Sequence, residues 1–439
     1  MTTPAKKILN FRVEGGEELS GTITTNTAKN SAVSLLCASL LNKGKTTLAR
    51  MPRIEEVNRI IEVLEGIGVK IKWSGNNVVI ERPEKISFDN FNKEAAMRTR
   101  SAIMLIGPLV RELKNFSIPQ AGGCRLGART VRPHFFALEK LGVKIKARET
   151  EYEVNSKELK SGREIILYES GDTTTENALM AAAGIEGKTV IKFASANYMV
   201  QDLCHFLLML GVRVYGIGTT TLTVVGKKEI REDVRFAAGE DPIESMLFIS
   251  IAATTNSSIV IKSCPIDFLE LELLKLEKMG FKYKITKRYI SENGYTNLVD
   301  IKTMKSRLTA LEEKIHPSSY PGLNIDNLPF FVPIATQAKG QTLIHDWVYE
   351  NRAIYYMELS KLGADMILAD PHRVYINGPT KLKPAEVVCP PALRPAAVIL
   401  IGMLTAKGVS VLRNIYSINR GYEDLANRLR KLGAKIRTI

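Results

Sequence analysis

A glycine-rich segment in the first third of the chain carries the side chain best suited to nucleophilic or acid chemistry. It runs Pro119-Gln-Ala-Gly-Gly-Cys124-Arg-Leu-Gly-Ala-Arg129 and places one thiol between two arginines. Nearby positive charge stabilises a thiolate, and glycine permits mobility and close backbone approach. The pattern indicates a reactive Cys124 on a mobile loop over a cleft, although a lone cysteine more often packs as a small buried hydrophobe.

Cationic side chains recur at the starts of the predicted helices. Lys29 and Asn30 precede the apolar run 32–41, and a lysine at a helix start is placed to meet an anion. Guanidinium groups bind phosphate and carboxylate bidentately, whereas a single exposed arginine is most often a solvated surface charge. The arginines that begin or precede later helices are Arg100, Arg352, Arg394 and Arg420.

A carboxylate follows a proline–glycine turn in the second half of the chain. The segment reads Tyr320-Pro-Gly-Leu-Asn-Ile-Asp326. Asp326 is a candidate general base, and the commoner alternative is a helix cap.

A pattern that recurs six times organises the elements around these residues. Each unit has a helix, a short strand, a second helix that ends at glycine, and another strand. Strands after the glycines alternate apolar with polar or basic residues, as half-buried strands do, and glycine suits a left-handed helix end. The six glycines, about seventy residues apart, are Gly68, Gly142, Gly211, Gly280, Gly363 and Gly433.

Six similar units predict an α/β protein of two bodies, each gathering three units around a shared core. The units are too long for a simple solenoid repeat. The alternative is one large α/β sheet, because glycine-ended helices are common, but six units in register make it less favoured. The length of 439 residues fits two or three domains.

Composition limits the classes of function. The five cysteines contain no CxxC pair and the five histidines no ligand cluster, so neither a disulfide scaffold nor a metal centre is expected. The formal net charge of +15 fits anionic substrates or solubility better than nucleic acid, because the basic residues are spread along the chain.

We expect a cytoplasmic protein with no membrane association. The longest apolar run, 396–406, is far shorter than the ~20 residues that span a bilayer. The first residues, MTTPAKKILNF, lack the apolar stretch of a signal peptide.

Taken together, these motifs resemble the enolpyruvyl transferases from end to end, and the cysteine loop separates this branch from the enolpyruvylshikimate-phosphate branch. The matching segments are Ala28-Lys29-Asn30, Arg100 with Gly107-Pro-Leu-Val, Gly122-Gly-Cys124 with Gly127-Ala-Arg129, Thr175-Glu176-Asn177, Tyr320-Pro-Gly322 with Asp326, Glu350-Asn351-Arg352, Leu393-Arg394 and Arg420-Gly-Tyr-Glu423.

The resemblance implies a fold, a domain division and a reaction. The fold is two inside-out α/β barrels, each of three βαβαββ units, hinged so that substrate closes the cleft. One domain is 29–239, and the other joins 1–28 to 240–439. The reaction moves the enolpyruvyl group of phosphoenolpyruvate to the 3-hydroxyl of UDP-N-acetylglucosamine with loss of phosphate, and needs no cofactor, metal or obligate protein partner.

The resemblance also implies the residue roles. Cys124 delivers a proton to the phosphoenolpyruvate methylene and can add to it covalently, whereas Asp326 takes the sugar hydroxyl proton. Glu350 and Arg352 orient the cleft from the second body. The implied phosphoenolpyruvate ligands are Lys29, Asn30, Arg129, Arg394 and Arg420. The implied acceptor ligands are Arg100, Thr130, Val131, Arg132, Asp172, Thr173, Asp326 and Val348.

The chain departs from the family pattern on the acceptor side. The family's Arg-Pro-Val-Asp-Leu-His is Arg129-Thr-Val-Arg-Pro-His134 here, its Ser-Val-Gly is Gly171-Asp-Thr173, and its Asp-Leu-Arg is Ala392-Leu-Arg394. The cysteine loop is one or two residues longer. We therefore expect weaker binding of UDP-N-acetylglucosamine. The alternatives are another nucleotide or nucleotide-sugar acceptor and, ranked last because the phosphoenolpyruvate ligands are present, a non-catalytic paralogue.

Overall fold

The computed structural model describes residues 8–120 and 130–439. The predictions about Cys124, Arg125 and Arg129 concern residues outside these ranges and stay predictions.

The strands of the described ranges are short, and most helices have fewer than fourteen residues. The strands are β1 (Phe11–Gly15), β2 (Ser20–Thr24), β3 (Thr46–Ala49), β4 (Lys70–Ser74), β5 (Asn77–Glu81), β6 (Asn115–Pro119), β7 (Lys144–Ala147), β8 (Glu151–Asn155), β9 (Glu164–Ile166), β10 (Gly187–Lys192), β11 (Arg213–Tyr215), β12 (Thr221–Gly226), β13 (Val234–Ala237), β14 (Ser258–Pro265), β15 (Lys282–Ile290), β16 (Asn297–Met304), β17 (Gly340–His345), β18 (Asp365–Asp370), β19 (Arg373–Gly378), β20 (Glu386–Val388), β21 (Gly408–Arg413) and β22 (Lys435–Thr438). The α-helices are α1 (Lys29–Ala38), α2 (Glu55–Gly66), α3 (Lys93–Met97), α4 (Ile106–Leu109), α5 (Arg132–Glu139), α6 (Asp172–Ala183), α7 (Tyr198–Met209), α8 (Pro242–Thr254), α9 (Glu270–Lys278), α10 (Phe331–Ala335), α11 (Leu393–Thr405), α12 (Tyr416–Asn419) and α13 (Leu425–Lys431). The 3-10 helices are Ser39–Leu41, Arg100–Leu105, Ile266–Phe268, Leu328–Phe330 and Ala353–Leu362.

Helices form the interior of the molecule. Every residue of α8 is buried, and so is every residue of α11 between its first and last. In α1 and α6 only the first two residues reach solvent. A helix that is apolar on all sides is stable only when it is surrounded, so these helices lie at the centre of the fold.

The strands form the outer layer. Burial alternates along β12 and β19, so that one face packs inward and the other meets solvent. Among the described residues, the strand orders of the sheets are β13-β3-β5-β4, β6-β8-β7, β11-β12-β10-β9, β15-β16-β14-β2, β17-β19-β18 and β20-β21-β1-β22. The prediction of two α/β bodies with helices inside and sheets outside is confirmed.

The repeat has the backbone geometry that the sequence predicts. All six helix-ending glycines have left-handed φ values, from 73° at Gly211 to 92° at Gly68. At Gly142 a Cβ atom would also lie 2.0 Å from the carbonyl oxygen of Glu158, so no larger residue fits there. One unit differs from the expected pattern, because its second helix, Ala353–Leu362, is wound as a 3-10 helix.

Two antiparallel segments run side by side where the chain passes between the two sets of sheets. Thr27 pairs with Glu240, and the amide of Ala28 donates to the carbonyl of Gly239 at 2.9 Å. Strands β3 to β13 build three of the sheets, whereas β1, β2 and β14 to β22 build the others. The expected boundaries after residues 28 and 239 fall in these two segments and stay a prediction.

All but the last residue of the longest apolar run of the sequence lie in α11, which has 13 residues. Among the residues the structure describes, no helix combines the length and the apolarity needed to cross a membrane. The same residues contain no group of three or more His, Cys, Asp or Glu side chains arranged to hold a metal ion.

Candidate active site

Three of the predicted site residues lie at the amino ends of helices from both halves of the chain. Lys29 is the first residue of α1, Asp172 is the first of α6, and Arg394 is the second of α11. The amide of Lys29 faces Asp241, the residue before α8, with 3.4 Å between its nitrogen and Oδ2. Helix amino ends carry positive partial charge, so their convergence favours an anionic ligand.

Asp326 lies between two arginines. Its Oδ2 is 3.3 Å from Nη2 of Arg394, and its Oδ1 is 3.6 Å from Nη1 of Arg352. Burial on its own raises the pKa of Asp326, but Arg394, Arg352 and Lys29 outweigh it, and the pKa lies below its usual value. The carboxylate is therefore ionised at neutral pH. The cap alternative is not what the structure shows, because Asn327 occupies the N-cap position of the next helix.

Arg394 is 5% exposed and has spare hydrogen-bonding capacity. Its Nη1 donates to the hydroxyl of Tyr422 at 2.7 Å, and its Nη2 faces Asp326. Its buried Nε has no hydrogen-bond partner among the described residues. An unmade hydrogen bond of a buried cation is costly, so this donor is suited to an anionic ligand.

Arg352 is fixed by a forked contact to Asp346. Nε and Nη2 of the arginine donate to the two carboxylate oxygens at 2.6 and 2.8 Å, and Nη2 also donates to the carbonyl of Ile325 at 2.8 Å. Tyr356 donates its hydroxyl to the same carboxylate at 2.6 Å. Arg352 thereby holds the backbone next to Asp326, which is a positioning contact from the second body.

Glu56 links the two halves beside this cluster and was missed by the sequence reasoning. Its Oε2 accepts from Nε of Arg420 at 3.1 Å, and its Oε1 accepts from the Thr99 hydroxyl at 2.5 Å. Burial on its own raises the pKa of Glu56, but Lys29 and Arg420 outweigh this effect, and the pKa lies below its usual value. The Glu56 carboxylate is therefore ionised at neutral pH. The signal available in the sequence was a glutamate on the apolar face of the helix that becomes α2.

The ammonium group of Lys29 interacts electrostatically with Glu56, Asp326 and the two arginines Arg394 and Arg420. Burial lowers the pKa of its ammonium, Arg420 and Arg394 lower it further, and Glu56 and Asp326 oppose the shift. Its neighbour Asn30 donates from Nδ2 to the hydroxyl of Tyr198 at 3.1 Å. The structure therefore brings Lys29, Asp326, Arg394 and Arg420 into one cluster of mutually perturbed charges.

Comparison with known proteins identifies the family. The family model described as EPSP synthase (3-phosphoshikimate 1-carboxyvinyltransferase) matches residues 13–429. The chain belongs to the enolpyruvyl transferase family. It is 33% identical to UDP-N-acetylglucosamine 1-carboxyvinyltransferase from Borrelia garinii, over 98% of this chain and 99% of that protein. It is 31% identical to the protein of the same name from Bradyrhizobium diazoefficiens, over 98% of each chain.

Solved structures of other enolpyruvyl transferases share the fold. The enolpyruvyl transferase NikO from Streptomyces tendae superposes with a TM-score of 0.83 at 21% identity, covering 98% of this chain and 99% of that one. EPSP synthase from Acinetobacter baumannii gives 0.74 at 17% identity, covering 98% of this chain and all of the other.

In this enolpyruvyl transferase, the predicted acceptor ligand Asp172 is held by hydrogen bonds from inside the protein. Its Oδ1 accepts from the Ser195 hydroxyl at 2.6 Å, and its Oδ2 accepts from Nδ2 of Asn197 at 3.3 Å. Burial raises the pKa of Asp172, and the two hydrogen bonds oppose that shift. Its negative charge is thus partly satisfied by the protein, which reduces the repulsion that a negatively charged ligand would meet at this position.

Among the other predicted acceptor residues, Arg100, Thr130 and Arg132 are connected by hydrogen bonds. Arg100 donates from Nη2 to the carbonyl of Thr130 at 3.3 Å, and the Thr130 hydroxyl oxygen accepts from the amide of Arg132 at 3.1 Å. Val131 and Val348 are half-buried, whereas Arg132 is exposed at the start of α5. Ala392, which has no side-chain acceptor, occupies the N-cap position of α11.

The four described cysteines are poorly suited to covalent chemistry. All are buried, and burial raises the pKa of each thiol, to about 12 at Cys264 and Cys389 and further at Cys37 and Cys204. Because the thiolate is the nucleophile, these thiols are inert at neutral pH. Cys124, the predicted reactive thiol, lies outside the described residues.

Proposed function

We propose that this chain transfers the enolpyruvyl group of phosphoenolpyruvate to the 3-hydroxyl of UDP-N-acetylglucosamine and releases phosphate. The observation that carries the proposal is the cluster in which Arg394 and Lys29 surround Asp326 and Arg420 lies close to Lys29. The chain's full-length relatives bear the name of that activity. The process it would serve is the synthesis of peptidoglycan precursors in the cytoplasm.

The donor's two anionic groups match the cations of the cluster. Phosphoenolpyruvate carries a carboxylate and a phosphate, and the tetrahedral intermediate keeps both. Lys29, Arg394 and Arg420 come from three different segments, so a bound donor neutralises charges that otherwise repel one another. Fixed cations in a cleft with little water stabilise such an intermediate more than they would in bulk solvent.

Two groups move protons in the proposed reaction. Asp326 takes the proton of the sugar hydroxyl as its oxygen bonds to the central carbon of phosphoenolpyruvate. Cys124 gives a proton to the methylene carbon, which becomes a methyl group. In the second step the methyl group returns a proton to the Cys124 thiolate, the double bond forms again and the bond to phosphate breaks. The proton that Asp326 took from the sugar hydroxyl leaves with the phosphate, so both side chains end in their starting protonation states.

The test is release of inorganic phosphate from phosphoenolpyruvate in the presence of UDP-N-acetylglucosamine, with the product identified by mass spectrometry. We expect one enolpyruvyl group added per phosphate released, and no release when the acceptor is omitted. Phosphate release with a different nucleotide or nucleotide sugar, but none with UDP-N-acetylglucosamine, would establish the second candidate function. The changed residues Arg132, Asp172 and Ala392 are the specific reason to include that panel.

A further inference from the structure

A chain of hydrogen bonds runs from the interior of the first body to the first turn of α6. It begins at Asn177, whose Oδ1 accepts from the amide of Gly107 at 2.7 Å and whose Nδ2 donates to the carbonyl of Ile103 at 3.1 Å. A backbone amide only donates and a carbonyl only accepts, so these contacts fix which way the Asn177 amide points. Gly107 permits this approach, because a Cβ there would lie 2.6 Å from Oδ1 of Asn177.

The next member of the chain is His134. The second hydrogen of Nδ2 of Asn177 faces Nδ1 of His134, with 3.1 Å between the nitrogens. Burial lowers the pKa of His134 to about 3, and the nearby Arg100 lowers it as well, so the ring is neutral. A neutral imidazole carries one proton, and Nδ1 accepts a hydrogen bond here. The proton is therefore on Nε2.

The last member is Thr173, the second residue of α6. Nε2 of His134 lies 3.3 Å from the Thr173 hydroxyl oxygen and donates to it. In this contact the Thr173 hydroxyl oxygen accepts a hydrogen bond from His134. The hydroxyl proton of Thr173 is therefore free to be donated to another partner. Thr173 is exposed, and the segment just before α6 faces the second body, because the hydroxyl of Ser319 donates to the carbonyl of Ser170 at 3.4 Å. The first turn of α6, which carries Thr173, therefore lies on the cleft side of the first body.

We propose that His134 and Asn177 are positioning residues that hold the Thr173 hydroxyl as a hydrogen-bond donor toward a diphosphate oxygen of the acceptor. The proposal rests on the proposed function, because it concerns how the nucleotide sugar is bound. A diphosphate only accepts hydrogen bonds, so a hydroxyl with a fixed outward proton selects it over a neutral group that donates. The amino end of α6 adds positive partial charge on the same side.

The first test examines the free protein and needs no substrate. Nitrogen NMR of the 15N-labelled chain distinguishes the two neutral histidine tautomers, and the spectrum of a His134→Gln variant assigns the signal among the five histidines. We expect protonated Nε2 and bare Nδ1 at neutral pH, with no titration near the ordinary histidine pKa. A proton on Nδ1, or titration near that pKa, overturns the relay whatever the enzyme's substrate is.

The second test measures acceptor binding by calorimetry, with UDP-N-acetylglucosamine and with UDP alone as probes. We expect Thr173→Val to weaken binding of both roughly tenfold, as for loss of one hydrogen bond to a charged group, while the KM for phosphoenolpyruvate is unchanged. Thr173→Ser should restore binding. The matched control is Thr438→Val, which removes an exposed threonine hydroxyl in β22.

The third test separates positioning from a general structural effect. We expect His134→Phe to weaken UDP binding in the wild-type background and to add little in the Thr173→Val background, because both changes remove the same donor. Fully additive losses would assign His134 a purely structural role and overturn the proposal. Failure of the wild-type protein to bind either probe would overturn the ligand assignment, while the tautomer measurement still decides the relay.

Discussion

Asp326 combines two properties that seldom occur together in one carboxylate. It is half-buried between Arg394 and Arg352, yet its pKa is lowered, so it is ionised and able to receive a proton. A carboxylate with a lowered pKa is a weak base, so substrate binding has to raise the basicity of Asp326 before it can take a proton. A bound donor that draws Arg394 toward its own anionic groups would raise the basicity of Asp326 at the moment when the base is needed.

Replacing Asp326 therefore tests the base directly. We expect Asp326→Asn to lower kcat by roughly 10²–10⁴-fold, the range typical of general acid–base catalysis. Phosphoenolpyruvate should bind at least as tightly as before, because a competing negative charge next to Arg394 is removed. Steady-state kinetics with a fluorescence or calorimetric titration of the donor would measure both, with the exposed Asp365→Asn as the control. Unchanged turnover would show that Asp326 has only a structural role.

The thiols give a second prediction at the scale of single residues. An epoxide phosphonate such as fosfomycin should alkylate Cys124 alone, because the other four cysteines are buried and their pKa values are raised. Peptide mass spectrometry after treatment would locate the adduct. Cys124→Asp should lose the adduct while keeping some turnover, since a carboxyl group can also deliver a proton. Alkylation of a different cysteine instead would remove the case for Cys124 as the acid.

Lys29 gives a third prediction, about pH. The pKa of its ammonium is lowered from 10.5 by burial and by Arg420 and Arg394. An anionic donor favours the charged form, so donor binding takes up a proton where Lys29 is partly neutral. Donor affinity should therefore fall as the pH rises through that lowered pKa. In Lys29→Arg the group stays charged, and the calorimetric affinity should change less over the same range. An equal change of donor affinity with pH in wild type and Lys29→Arg would show that Lys29 is not the group responsible for the pH dependence.

At the scale of elements, the fold explains why residues so far apart in sequence meet. Each unit begins with a buried helix. Lys29, Asp172 and Arg394 lie in the first turns of α1, α6 and α11. Asp241 is the residue directly before α8. The alternating strands and the glycine turns determine where each buried helix starts. The site is thus a consequence of the repeat, because the residues at the starts of these four interior helices lie at the site.

The pair of Glu56 and Arg420 connects α2 with the turn after α12 across the two halves, and it supports a stability prediction. We expect Glu56→Gln to cost about 1–3 kcal/mol in the free energy of unfolding, because Arg420 loses a buried partner. Glu55→Gln is the matched control: Glu55 is more exposed, contacts Arg59 at 3.5 Å, and should cost less than about 1 kcal/mol. Urea denaturation would measure both. Equal costs would show that the Arg420 contact adds nothing.

The pH dependence of that difference has a definite sign. The pKa of Glu56 in the folded protein is lower than the usual 4.5, so the pair contributes its full stability above 4.5. That contribution is lost as the pH falls through the lowered pKa. The stability difference between wild type and Glu56→Gln should therefore shrink in acid.

The sequence was sufficient to predict the repeated units, but it was not sufficient to predict every contact between them. Glycine spacing and strand alternation predicted the repeat, because both are local properties. The pairing of Glu56 with Arg420 spans 364 positions, and no local pattern indicates it. Likewise β1 lies between β21 and β22, which an isolated alternating strand cannot reveal. The orientation of the His134 ring depends on backbone groups of two other segments, so it required the folded structure.

At the scale of the whole molecule, the predicted acceptor site draws on both bodies. Arg100 and Thr173 come from the first, whereas Asp326 and Val348 come from the second. The two bodies are connected by the paired segments around Thr27 and Glu240. A ligand that contacts both bodies gains affinity from each and favours their approach, so acceptor and donor binding should be coupled.

The last prediction concerns the strength of acceptor binding. UDP-N-acetylglucosamine should bind, but more weakly than to a typical family member that keeps the usual residues at these positions, because Arg132 and Asp172 replace the residues expected there. A mispaired buried polar contact costs about 1–3 kcal/mol, and the inward hydrogen bonds of Asp172 keep its own cost at the low end. Calorimetric titration of this protein and of such a family member, with and without phosphoenolpyruvate, would measure the difference. Absence of binding in either condition, together with turnover of another hydroxyl acceptor, would reject UDP-N-acetylglucosamine while leaving the donor half of the site intact.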